Sequence, residues 1–354
     1  MLKLYIYDRL PDFADSKLLR LFLSENEFEG KIFQNIPTKP FKSMVEFVDA
    51  VDEAHYILLP HEYVFIRDEI EYLNELDEFA AKSGKKIIVF DYGDYSDKVI
   101  LKNSIVLRSA SYKSSLSINE IIVPAFIEDL ALESNLISLN KTSKVPSVGF
   151  AGMVKLPSIQ QEIKYQLRIL RDKIYIFLNL ISRSNLQGLY FRRKVVKILS
   201  NCSSCTTNFI IRNSFSAHEK TITSDPKQLR QEYIDVLQSS DLSLVIRGDG
   251  NYSLRFFEVL SLGRIPLFID TDSPLPLESE INYDDFIVRV DHSELNKLPD
   301  IIAEFWRGLS PEKYAEMQKT AREIFETQLR PDVFYVNLFK KLEKGSDFIF
   351  NLDN

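Results

Sequence analysis

Two charged residues stand in an otherwise apolar run. In "YSLRFFEVLSLGRIPLFID", Arg255 and Glu258 lie three positions apart, just after a loop carrying Gly248 and Gly250. The apolar stretch 242–246 ahead of that loop reads as a buried strand, and Ser253 stands where a helix N-cap belongs. A strand, a glycine loop and a helix N-terminus together present backbone amides that attract an anion. Arg255, Glu258 and Ser261 recur at i, i+3 and i+6, so the helix keeps one polar row among buried faces. A cation and a carboxylate in such a row need each other or a ligand. One reading is a buried Arg255–Glu258 ion pair. The other sets Arg255, with Arg247 from the strand end, on a pyrophosphate, and Glu258 on a ribose diol. Spacing leaves both open, and no Walker sequence or GxGxxG specifies an NTPase or a dinucleotide fold.

Other chemistry-bearing residues are sparse. Cys202 and Cys205 form a single CxxC pair, short of a zinc ribbon, and are expected to be reduced thiols. Asp270-Thr-Asp272 has the spacing of a metal-holding pair, but it follows a strand and precedes Pro274, so a turn is expected and no metal.

The elements that must position these residues alternate along the chain. In the first half, 3–7, 32–33, 56–59, 86–90 and 105–107 read as strands, with helical spacing at 16–23, 43–52 and 68–83; the alternation implies a parallel sheet with crossover helices. Residues 132–147 are rich in Ser, Asn and Lys and read as a linker. A second α/β series follows, with helices at 159–170, 190–199 and 228–238, strands at 208–211, 242–246, 265–269 and 286–290, and helices at 311–329 and from Pro331 onward. The expected organisation is an N-terminal domain over 1–135, a linker over 136–145, a second domain over 146–310 and C-terminal helices over 311–354 that pack back across both.

With 354 residues the chain is long for one core and comfortable as two. A net charge of −7 argues against wholesale nucleic-acid binding, which needs a basic surface. No apolar run approaches a membrane span, and the N-terminus lacks the pattern of a secretory signal, so a cytoplasmic location is expected. The basic stretch Arg168, Arg171, Lys173, Arg192, Arg193, Lys194 and Lys197 could contact anionic lipid or a lipid diphosphate at the inner membrane face. Solvated helix faces account for most such runs.

The segment from 239 to 295 resembles the donor-binding half of the exostosin-like glycosyltransferases, whose pattern runs S-x-R-x-x-E-A-L-x-x-G-x-I-P-V, then L-P-F. "KLYIYDRLPDF", "AHYILLP", "FDYGD", "EIIVPAF" and "VGFAG" are similar to that family's earlier motifs in the same order. Departures fall at Arg247-Gly-Asp249-Gly250, Val259, Arg264 and Phe90. The resemblance implies an α/β fold of GT-B type, with two facing Rossmann-like domains, the nucleotide sugar bound by the C-terminal one and the acceptor by the N-terminal one, and inversion at the anomeric carbon. It implies that Arg255 and Ser253 serve the diphosphate and Glu258 the ribose, with Arg247 and Gly250 in the same loop.

An inverting displacement needs a base. Asp91 in "FDYGD" is expected first, by its match to the family's carboxylate, then His61 and Glu62 in "LLPHEY", with Asp8 also at a strand end. No cofactor is expected beyond a donor, UDP-linked by expectation, and the acceptor would be a glycan or lipid-linked glycan in polysaccharide synthesis. A GDP-sugar enzyme resembling the fucosyltransferases and a non-catalytic nucleotide- or carbohydrate-binding scaffold are the alternatives.

Overall fold

The computed structural model describes residues 1–23, 28–30, 34–36, 39–134, 136–213 and 225–345. The strand expected at 32–33 lies outside them. The chain divides into two units: Met1–Glu128 with Ser273–Ile281 and Thr327–Asn354, and Asp129–Asp272 with Asn282–Glu326.

In the first unit the elements run β1 (Leu2–Ile6), α1 (Lys17–Leu23), β2 (Phe28–Gly30), β3 (Gln34–Ile36), α2 (Lys39–Lys42), β4 (Val45–Phe47), β5 (Tyr56–Glu62), α3 (Tyr63–Ile66), α4 (Ile70–Ser83), β6 (Lys86–Asp91), β7 (Ser104–Arg108) and β8 (Glu120–Ile122). Six of the strands form a parallel sheet in the order β4-β1-β5-β6-β7-β8. The expected helix over 43–52 is instead β4 and a single 3₁₀ turn, Val51–Glu53. Val45 pairs with Leu2 and Phe47 with Leu4, so sheet pairing overrides the helical spacing. Pro60 has no amide for the ladder, and the β5–β6 register slips between Leu58 and Glu62 there, re-aiming the end of β5.

The second unit holds α5 (Leu130–Glu133), β9 (Ser147–Met153), α6 (Ile159–Phe177), α7 (Gly188–Ser200), β10 (Thr206–Arg212), α8 (Pro226–Gln238), β11 (Leu242–Val245), α9 (Leu254–Ser261), β12 (Ile265–Asp270), β13 (Val288–Asp291), α10 (Leu298–Gly308) and α11 (Pro311–Ile324). Its parallel sheet has the order β10-β9-β11-β12-β13. Gly149 is required where α8 crosses β9, because a Cβ there would lie 2.4 Å from Ser240 Oγ and 2.9 Å from the Val236 carbonyl. Helix α10 was not apparent from the sequence, and the helix expected over 311–329 is α-helical only to Ile324, continuing as a π turn, Phe325–Leu329.

The last helix, α12 (Pro331–Glu343), belongs to the first unit. Phe334, Tyr335, Leu338, Phe339 and Leu342 pack into the core that holds Leu2, Leu4, Phe22 and Phe126. The two parallel sheets with interleaved helices give the chain the α/β, GT-B-like composition expected. Among the described residues, no helix is long and apolar enough to cross a membrane.

Candidate functional site

Open parallel sheets bind ligands beyond the strand C-termini, where the strand order reverses. The reversal lies between β1 and β5 in the first unit and between β9 and β11 in the second, so each unit is treated in turn.

In the first unit, β5 ends in His61 and Glu62. His61 is fully buried, and its Nε2 accepts from the Leu10 amide at 2.8 Å. A backbone amide only donates, so Nδ1 carries the proton and donates to the Ala14 carbonyl at 3.0 Å. Both ring nitrogens therefore clamp the loop after β1. Glu62 is half-buried, and its Oε1 accepts from the Lys17 amide at 3.1 Å, at the start of α1. Burial pushes its carboxyl above the ordinary range, partly offset by that amide and by the Lys17 charge. The Lys17 ammonium is itself buried over the Tyr92 and Phe126 rings, at 4.8 and 4.7 Å, and burial lowers it to about 8. Asp8, after β1, is exposed.

Asp91 closes β6 beside Arg108, its register partner on β7. Arg108 donates to Asp91 at 2.5 Å and to Glu120 at 2.9 Å, and all three side chains are at most 4% exposed. Burial raises the Asp91 carboxyl while the Arg108 hydrogen bond and charge lower it. Asp91 is thus spent on a buried ion triad. Glu62 keeps the features of a base: partial exposure, a raised pKa and a place at the reversal point.

In the second unit, β9 and β11 pair only through Leu242–Val148 and Ser243–Gly149 and are not paired beyond. Arg255 of α9 reaches β9: its Nη2 donates to the Ala151 carbonyl at 2.5 Å, and its guanidinium lies 4.5 Å from the Phe150 ring centroid and 5.5 Å from that of Tyr233. Of the two readings left open by spacing, the Arg255–Glu258 ion pair does not form. Glu258 accepts instead from Arg230 at 3.0 Å and from the Tyr233 hydroxyl at 2.6 Å, both on α8.

Arg247 is 5% exposed and donates to the Ser184 carbonyl at 2.9 Å and the Asp249 carbonyl at 2.7 Å, bracing its own loop. Arg192 of α7 donates to the Arg247 carbonyl at 3.0 Å. Gly188 allows this approach, since a Cβ there would lie 2.2 Å from the Gly248 carbonyl oxygen. Burial and the neighbouring Arg255 and Arg247 push Arg192 down to about 10, against the opposing charge of Asp249.

Gly250 lies in the same loop, which closes through the Gly248 amide and the Tyr252 carbonyl. Buried Asn251 ties it to the end of β12, donating to the carbonyls of Thr271 and Asp272 at 3.1 Å each and accepting from the Thr271 hydroxyl at 2.7 Å. Ser253 takes the N-cap position with extended backbone, but its hydroxyl makes no cap bond. Three arginines thus gather around the glycine loop and the start of α9, an arrangement suited to a polyanion. Arg192, Arg230, Tyr233 and Asn251 extend the expected set. Arg192 was hidden in a basic run and the others lay on distant elements. One signal was available for Arg192: it falls four residues after Gly188, on the same helix face.

Asp270 accepts from Arg289 at 2.8 Å. Among the described residues, no group of three His, Cys, Asp or Glu side chains is gathered as a metal site would require. Cys202 and Cys205 are free thiols with sulfurs 3.5 Å apart, and burial pushes Cys205 up to about 12.

Two parallel α/β units, each with a strand-order reversal, are the frame of a glycosyltransferase of GT-B type. The sequence matches the Exostosin GT47 domain family over residues 1–305, and the chain belongs to that family, as a glycosyltransferase. It is 20% identical over 347 residues to the Exostosin-1 homolog of Caenorhabditis elegans, covering 93% of this chain and 81% of that protein. It is 31% identical over 97 residues to Exostosin-1 of Drosophila melanogaster, covering 27% of this chain and 12% of that one. A crystal structure of a glycosyltransferase from Rickettsia africae ESF-5 aligns with a TM-score of 0.37 at 10% identity, over 98% of this chain and 99% of that one.

Proposed function

We propose that the protein transfers a sugar, with inversion, from a UDP-linked donor to a glycan acceptor in polysaccharide synthesis on the cytoplasmic side, without metal or other cofactor. The observation that carries the donor half is the gathering of Arg192, Arg247 and Arg255 around the 247–253 loop, where their mutual repulsion favours a bound diphosphate. The α9 N-terminal amides, Gly250 and the Ser253 hydroxyl complete the phosphate cradle. Glu258 takes the ribose diol: a carboxylate has about four lone-pair sites, and Arg230 and Tyr233 occupy one on each oxygen.

The base is assigned to Glu62, ahead of Asp91 and His61. An ionised Glu62 accepts the acceptor hydroxyl proton as the new glycosidic bond forms, while the arginines stabilise charge developing on the departing diphosphate. Calorimetry with UDP, GDP and CMP tests the donor site: UDP binds, chelator changes nothing, and Arg192→Ala or Arg255→Ala weakens binding. Equal affinity for all three would overturn the UDP assignment, and no binding by any would overturn the site.

A further inference from the structure

We infer that α6 is a docking helix for an anionic lipid surface, lying in its plane. Tyr165, Ile169 and Asp172 face the unit's interior. On the far side Ile159, Ile163, Leu167, Leu170, Ile174 and Phe177 are all exposed, with Phe177 at 84% and Ile159 at 80%. At ~100° per residue they fall within about 80° of one another, so the helix carries a continuous apolar stripe some 27 Å long, away from the core. Just past the helix end, Leu178 and Leu180 are also exposed, at 55% and 66%. Single exposed apolar residues are ordinary; six in one strip are not.

Two occupants fit an apolar stripe of this spacing, a second copy of the chain or a membrane, and the flanking charges decide between them. From Ile163 to Phe177 the steps are 4, 3, 4, 3, the seam of a coiled coil over two heptads. The positions beside that seam are Lys164, Gln166, Arg171 and Lys173. A second copy would set the Lys164 and Lys173 ammonium groups against their own kind, Arg171 being already answered by Asp172 of its own helix. The two acids of the helix are used elsewhere: Glu162 is held bidentately by Arg193 at 2.8 and 2.7 Å, and Asp172 is buried against Arg171. Lys164 and Lys173, one on each side of the stripe, are exposed. In a chain of net charge −7, this basic border with an apolar centre matches anionic headgroups over acyl chains.

Vesicle sedimentation tests the assignment with the whole protein, using phosphatidylglycerol–phosphatidylcholine mixtures against phosphatidylcholine alone. The protein pellets with the anionic vesicles and is released by salt. Replacing Lys164 and Lys173 together by Gln weakens partitioning about 25-fold, roughly fivefold per charge. Leu167→Gln, Leu170→Gln and Phe177→Gln together abolish it, while circular dichroism and UDP affinity stay unchanged, because these side chains face solvent. Equal binding to neutral vesicles, or none to either, overturns the proposal. So does a concentration-dependent dimer in sedimentation velocity that the apolar triple variant dissolves.

Discussion

The ends of the two sheets make an instructive pair. At the ends of β6 and β7, Arg108 is balanced by two carboxylates, and at the end of β5 His61 is consumed by backbone bonds, beside the half-exposed Glu62. Beyond β9 and β11 the balance is inverted: arginines collect on carbonyl oxygens and aromatic faces, while Glu258 is turned to α8. One strand plan therefore serves two electrostatic ends. On the proposed reading, partial burial at the first end suits a carboxylate to proton transfer, and the gathered guanidiniums at the second suit it to phosphate.

The sharpest way to break this contrast is at Glu62. Glu62→Gln is expected to lower kcat about 10²- to 10⁴-fold with donor affinity unchanged. The base must be ionised, and burial favours its protonated form, so wild-type kcat/KM should climb with pH through a value above the ordinary carboxylate range. A pH–rate profile of the variant should lack that limb. An equal loss in a stably folded Asp91→Asn, with Glu62→Gln active, would return the base to Asp91.

Next in size is stability. Arg108→Met leaves Asp91 and Glu120 buried without their cation and should cost about 3–5 kcal/mol in urea unfolding. Arg255→Met removes a cation from a crowded positive cluster and should cost much less, about 1 kcal/mol. Similar losses at both would mean that the arginines of the second unit are structural struts. In binding, the order reverses. Arg192→Ala and Arg255→Ala should each weaken UDP by about 1.5–3 kcal/mol, measured by calorimetry, with affinity falling as salt rises. The smallest effect is reserved for Glu258→Gln, about 1 kcal/mol for UDP and less for 2′-deoxy-UDP, which keeps only the 3′ hydroxyl of the diol.

Much of this was legible in the residues. The apolar runs located the inner strands to within a few positions, and the polar row of α9 pointed to Arg255 and Glu258 before any geometry. What stayed hidden depended on neighbours remote in sequence. Asp91 and Glu62 are both carboxylates at strand ends, and only the cross-strand Arg108 separates them. Glu258 found its partners on α8, which the i, i+3 spacing alone could not show. The helical spacing over 43–52 gave way because an edge of the sheet was open to Val45 and Phe47.

The route of the chain has a consequence for how the protein is made. The first unit begins at residue 1, yet its core takes five large side chains from α12, between Phe334 and Leu342. A chain emerging from the ribosome can complete the second unit once Glu326 is out, while the N-terminal sheet still lacks its covering helix. The unit synthesised first thus closes last. During that interval Leu2, Leu4 and Phe22 await their final neighbours, and a stop codon placed after Glu326 and before Pro331 should yield a chain whose second unit is folded and whose first is not.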